Sequence, residues 1–255
     1  MGEPGVSYLF RTNQGSLLYD IGFGPSHPTL VHNVTKLGVD LDQVDALAIS
    51  HLHGDHMGGM KAQSMKQVTV PKELVIPGGK PCFLPDEAGA EEFSTEIVKE
   101  PRLLAAGIAS IGPLARSLFF FGLTEEQALL ARIKGKGLVI FSGCGHPTIE
   151  VILEMVRRLS SEPIYAIGGG LHFPITSGRG GYKGIQMQMI LGTGKPPWQR
   201  VTDHDLSSTI KSINAAEPQK VFLSAHDTCD YALERFENEL RAETKLLRAG
   251  ASYQL

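Results

Sequence analysis

The chain has 255 residues, 42% of them hydrophobic and 20% charged, with a formal charge of −3 and a pI near 6.3. These values suit a globular chain with a sizeable core and give no basic footprint for nucleic acid. They come with no apolar run near the ~20 residues that span a bilayer, no basic-then-apolar opening of a signal peptide in Met1-Gly2-Glu3-Pro4-Gly5, and three cysteines too scattered for a disulfide framework, so reduced thiols and a cytoplasmic location are expected.

Residues 6–11 and 16–21 are short β-rich runs parted by Asn13-Gln14-Gly15, which predicts a hairpin. Asp20 closes the second run and reads as a turn residue. Apolar residues at helical spacing predict a helix over 28–37, stopped by Gly38. His32 lies on that helix, and His27 precedes it as a loop residue or one overhanging a substrate pocket.

A strand-like run, 44–49, leads into Ser50-His51-Leu52-His53-Gly54-Asp55-His56-Met57-Gly58-Gly59. Alternate side chains of an extended chain point the same way, so His51 and His53 can meet at one point. A turn at Gly54 would aim Asp55 and His56 at a second. Imidazole nitrogens and carboxylate oxygens bind zinc at roughly 2.0–2.2 Å. Four ligand-type side chains at this spacing read as half of a two-metal site rather than as a histidine-rich surface loop.

Residues 57–66 read as a short helix. Residues 67–118 are punctuated by Pro71, Pro77, Pro81, Pro85, Pro101 and Pro113. They read as an irregular, lid-like insert, with strands near 73–76 and 103–111 and a short helix or flap over 87–100. Strand character resumes at 117–121, 127–133 and 137–141, with Lys134-Gly135-Lys136 as a turn. The last of these runs into Ser142-Gly143-Cys144-Gly145-His146, and a helix follows with Ile149, Ile152, Leu153, Val156 and Leu159 on one face. His146 is placed as a ligand at the mouth of this strand-to-helix loop, and Cys144 reads as a small buried thiol.

The next strand, 163–167, ends in Gly168-Gly169-Gly170-Leu171-His172. Residues 174–202 form a glycine-rich loop with Arg179, Lys183, Lys195 and Arg200. It reads either as a solvated surface loop or as a cradle for an anionic group. Thr202-Asp203-His204-Asp205 caps a helix over 205–216, which accounts for Asp203 and His204 without a metal. The strand 220–224 delivers Ala225-His226-Asp227-Thr228 and a helix to about 239, so His226 repeats the pattern of His146. Residues 245–248 and 252–255 read as closing strand segments.

His51-Leu52-His53-Gly54-Asp55-His56 resembles the His-x-His-x-Asp-His signature of the metallo-β-lactamase-fold hydrolases. Lys136-Gly137-Leu138-Val139, Ser142-Gly143-Cys144-Gly145-His146 and Gly169-Gly170-Leu171-His172 resemble a branch of that superfamily marked by Gly-Gly-x-His-Leu, which holds the dihydropterin-methyl-ribofuranosylaminobenzene phosphate synthases. The resemblance implies an α/β (α+β) fold, a four-layer αββα sandwich in one domain over residues 1–255, in a family whose members usually carry one more strand ahead of the hairpin. It makes Asp20 a support for the ligand loop. It assigns His51, His53 and His146 to a first metal, and Asp55, His56 and His226 to a second. His172 stands where most members carry a bridging Asp, as a ligand or a proton donor. The implied cofactors are two divalent ions, zinc first, with manganese or iron also fitting the donors. The implied function is cleavage of a small-molecule ester, a phosphoester first, by a hydroxide on the dinuclear centre. Asp55 is expected to steer the attacking water, and a small anionic substrate is expected, with no nucleic-acid or membrane partner. The alternatives are a mononuclear iron dioxygenase of the persulfide type and a non-catalytic metal-binding protein on the same fold.

Overall fold

The predicted hairpin forms: β1 (Tyr8–Thr12) pairs antiparallel with β2 (Gly15–Tyr19), with Thr12 opposite Gly15 at the turn. The structure, a computed structural model, describes residues 1–74, 79–176, 181–182, 185–186, 189, 193–196 and 198–255. The chain divides into two compact units, Met1–Pro113 with Ala249–Leu255, and Leu114–Arg248.

In the first unit, β2 is followed in the sheet by β3 (Ala46–Ala48), β5 (Pro81–Leu84) and β7 (Ser94–Ile97), all parallel. Ala46, Leu47 and Ala48 are buried throughout, as a strand with parallel partners on both sides requires. The helix Thr29–Leu37 buries Leu30 and packs Val31 and Val34 on the core; Gly38 ends it with φ 61°, as the sequence predicts. Leu18, Ile21, Leu47, Ile49, Met57, Cys82 and Leu84 fill the centre.

The stretch 67–118 is more ordered than its sequence implies. It holds β4 (Gln67–Val68) and β6 (Gly89–Ala90), paired in parallel, as well as β5, β7, β8 (Arg102–Ala105) and the start of β9 (Ile108–Leu118). No helix forms within 87–100, where β6 and β7 lie instead, and the expected strand 103–111 is split into β8 and β9 by a turn at Ala106-Gly107. Lys72–Leu74 is a 3-10 turn, and residues 75–76 of the strand expected at 73–76 lie outside the described residues. The helix expected over 57–66 is two: Gly54–Met57 and Met60–Met65, parted by Gly58-Gly59.

The second unit is built on a sheet of order β16-β15-β12-β11-β10-β9. β10 (Gly122–Ile133) and β11 (Gly137–Ser142) form the antiparallel hairpin predicted around Lys134-Gly135-Lys136. β12 (Ile164–Gly169) lies parallel to β11, and β15 (Lys220–Leu223) and β16 (Glu243–Leu246) continue in parallel. A short antiparallel pair, β13 (Gly181–Tyr182) and β14 (Ile185–Gln186), lies in the glycine-rich region. Parallel neighbours need crossovers. The helices Ile149–Leu159 and Asp230–Glu239 supply two of them, and the helix Asp203–Ala215 leads into β15. β11 and β12 are buried along their whole length. Residues 252–255, expected as strand, have no regular structure. Among the described residues, no helix is long and apolar enough to cross a membrane.

Candidate metal centre

In the first unit the strand β3 releases the chain at Ile49, and the ligand-type side chains follow at once. The rings of His51 and His53 lie 4.5 Å apart and those of His51 and His56 4.1 Å apart, and Asp55 Oδ2 is 3.9 Å from His56 Nε2. The histidine motif therefore does gather its four side chains. Gly54 opens a short helix rather than a simple turn, which places Asp55 and His56 in its first turn.

Asp20, at the end of the neighbouring strand β2, organises this group. It is fully buried with φ 62°. Its Oδ1 accepts the Ser50 amide at 2.6 Å, and its Oδ2 accepts the Ser50 hydroxyl at 2.8 Å and lies 2.7 Å from His56 Nδ1. A carboxylate only accepts, so His56 carries its proton on Nδ1 and presents Nε2 as the lone-pair nitrogen. Ser50 gives its one hydroxyl proton to Asp20. Toward His51 Nδ1, at 2.9 Å, it can only accept. His51 is thereby set in the same tautomer, with its lone pair on Nε2. This is the form in which imidazole ligates a metal.

In the second unit three parallel strands end at the same sheet edge, where open α/β sheets bind ligands. β11 delivers Cys144 and His146, β12 delivers His172, and β15 delivers His226 and Asp227. Glu126, 1% exposed on β10, accepts the amides of Gly143 at 3.0 Å, Gly145 at 2.9 Å and His146 at 2.8 Å. Arg116 Nη1 donates to the His146 carbonyl at 2.8 Å. The loop is thus held rigid from both sides. The His146 and His172 rings lie 4.8 Å apart. Cys144 Sγ is 3.1 Å from His226 Nε2 and 3.2 Å from Asp227 Oδ2, and His226 Nε2 is 3.0 Å from that same oxygen. Burial pushes the Asp227 carboxyl up, but His226 and His172 beside it outweigh burial and hold it well below the usual carboxylate range. His172 and Asp227 both take left-handed backbone, φ 57° and 53°, a strained choice that clusters at functional sites.

The model of the metallo-beta-lactamase superfamily matches residues 1–87. A dihydropterin relative from Methanocaldococcus jannaschii, 7,8-dihydropterin-6-methyl-4-(beta-D-ribofuranosyl)-aminobenzene-5'-phosphate synthase, is 23% identical over 67% of this chain and 71% of its own. The crystal structure of Tm1679, a metal-dependent hydrolase of the beta-lactamase superfamily, superposes with a TM-score of 0.66 over 96% of this chain and 93% of that one, at 20% identity. The chain has the metallo-β-lactamase fold. The metallo-beta-lactamase fold protein YhfI from Bacillus subtilis agrees, with a TM-score of 0.57 over 98% of this chain and 92% of its own, at 13% identity.

In this metallo-β-lactamase-fold chain the residues that sequence reasoning passed over are Ser50, Glu126 and Asp227. Asp227 had a local signal: it follows His226 directly, as His56 follows Asp55. Glu126 had none, because it reaches its loop from an adjacent strand. His27 is an ordinary loop residue, 2.9 Å from Glu3 and stacked on Phe23 at 4.5 Å. In the glycine-rich loop, Lys195 pairs with Asp205 at 2.6 Å, while Arg179 and Lys183 lie outside the described residues.

Proposed function

We propose that this chain is a metal-dependent hydrolase that cleaves a small anionic ester, a phosphoester first. The observation that carries the reading is the Asp20–Ser50 arrangement, which sets His51 and His56 as Nε2 donors beside Asp55. A buried carboxylate and hydroxyl spent on two imidazole tautomers is the support that metal-ligating histidines require. The donors offered are imidazole and carboxylate, which suit zinc, with manganese or iron as lesser fits.

The proposed ligands are His51, His53 and His146 for one ion and Asp55, His56 and His226 for a second, an assignment that rests on the sequence pattern. Divalent ions bound there would supply an acidified water at neutral pH and polarise the substrate oxygen. Asp55 orients the attacking water, and His172 serves as a ligand or as the proton donor to the leaving oxygen. The phosphoester preference is supported by the M. jannaschii relative, a synthase named for a compound that carries a 5'-phosphate.

The test is metal content per chain on protein purified without added metal, with bis-p-nitrophenyl phosphate turnover measured before and after chelation. Two zinc or manganese ions and chelator-sensitive turnover are expected. One iron with oxygen uptake and no hydrolysis would replace this reading with the iron dioxygenase. Bound metal with no turnover of a phosphoester, lactone or thioester panel would leave a metal-binding protein.

A further inference from the structure

We propose that Cys144 is a metal ligand, and that with His172, His226 and Asp227 it forms a thiolate-containing site for a zinc-class ion within the unit Leu114–Arg248. The proposal rests on the reading of these strand ends as metal-binding and changes the donor set, which the sequence alone makes entirely nitrogen and oxygen.

Distances are the first argument. Ligand atoms on a tetrahedral zinc at 2.0–2.3 Å stand about 3.3–3.8 Å from one another. Here Cys144 Sγ is 3.1 Å from His226 Nε2 and 3.2 Å from Asp227 Oδ2. His226 Nε2 is 3.0 Å from Asp227 Oδ2, and His172 Nδ1 is 3.6 Å from it. One ligand atom each from Cys144, His172 and Asp227 lies within 4.8 Å of the others. Cys144, His226 and Asp227 thus stand at tetrahedral spacing already, and His172 reaches the same group through Asp227.

His172 is the second, independent argument. Its side chain is 8% exposed, yet neither ring nitrogen has a hydrogen-bond partner among the described residues. Asp227 at 3.6 Å is beyond hydrogen-bonding range of Nδ1. A buried imidazole in a left-handed backbone conformation, with Asp227 beside it but no partner within hydrogen-bonding distance of either nitrogen, is a costly group that needs a reason. An ion held with Cys144 and Asp227 gives one. It makes His172 a ligand rather than the proton donor.

The consequence is selectivity. A thiolate is a soft donor that favours zinc or iron over manganese. Metal binding here releases the Cys144 thiol proton to solvent as the sulfur–metal bond forms. Glu126 fixes the loop from which the sulfur projects, through the amides on either side of Cys144.

The test is the absorption spectrum of the full chain loaded with cobalt(II). A near-ultraviolet sulfur-to-cobalt charge-transfer band is expected in the unmodified chain and in Cys229→Ser, and is expected to vanish in Cys144→Ser. Zinc affinity of Cys144→Ser should fall 10- to 100-fold while manganese affinity changes little. X-ray absorption on the zinc-loaded unmodified chain, which needs no variant, should show one sulfur scatterer at about 2.3 Å. Cobalt bound without the band, or with a band that survives Cys144→Ser, overturns the thiolate ligand and leaves the hydrolase reading standing. No cobalt bound at all overturns both.

Discussion

Asp20 shows how much rests on one side chain. By sequence it is a turn residue or a support for the ligand loop. It takes two hydrogen bonds from Ser50 and lies 2.7 Å from His56 Nδ1 while wholly buried, contacts that a turn residue alone does not need. An asparagine of the same shape keeps one acceptor but turns an amide toward donors. Ser50 and His56 must then rearrange, and His56 loses the reason to hold its proton on Nδ1. Asp20→Asn is expected to lower metal affinity 10- to 100-fold, the usual cost of removing such a partner. It should also destabilise the fold by about 1–3 kcal/mol through the unsatisfied buried groups. A metal titration with calorimetry checks the first and thermal unfolding the second. Unchanged affinity would show that Asp20 is a turn residue only. At this scale the sequence reveals ligand types at motif spacing, but not groups that reach a loop from another strand. Glu126 is one such group, and Cys144, read as a small buried thiol, shows that a buried thiol and a ligand thiol look alike until their neighbours are known.

The strand–loop–helix unit is the repeated device of the second half of the chain. It was legible at His146 and His226 because each buried run is followed directly by a short loop and a helical pattern. The stretch 67–118 was not legible. Its strands are two to four residues long up to β8, and β5 finds its partners in β3 and β7, far away along the chain. Local periodicity carries no signal for such pairs. Glycine acts here by close approach: Gly169 lies opposite Ser142 in the β11–β12 ladder with φ 99°, and a Cβ added to it would sit 2.0 Å from the Ser142 carbonyl oxygen. That oxygen is backbone and cannot swing aside. Gly169→Ala combines a strained φ with overpacking, so a loss of at least ~2–3 kcal/mol is expected. For a chain of this size that is a fall of roughly 4–12 °C in Tm, readable by circular dichroism. A variant that melts with the unmodified chain would show that the two strands can part at this point without penalty.

Across the whole molecule the proposed ligands come from four separate loops, at the ends of β3, β11, β12 and β15. Segments so far apart in sequence do not assemble a site in the unfolded chain, so a metal that binds them binds the native state alone. Such binding adds RT ln(1 + [M]/Kd) to stability, about 2.7 kcal/mol at a hundredfold excess over Kd. At 2–4 °C per kcal/mol for a chain of this length, stripping the metal should lower Tm by about 5–10 °C. Returning zinc should restore it, with a midpoint that rises with zinc concentration. Differential scanning calorimetry before and after chelation measures this, with metal analysis of the same samples as its control. Identical melting curves on samples shown to differ in metal content would mean that the ion holds none of the four loops, and that the histidines gather for a reason other than metal.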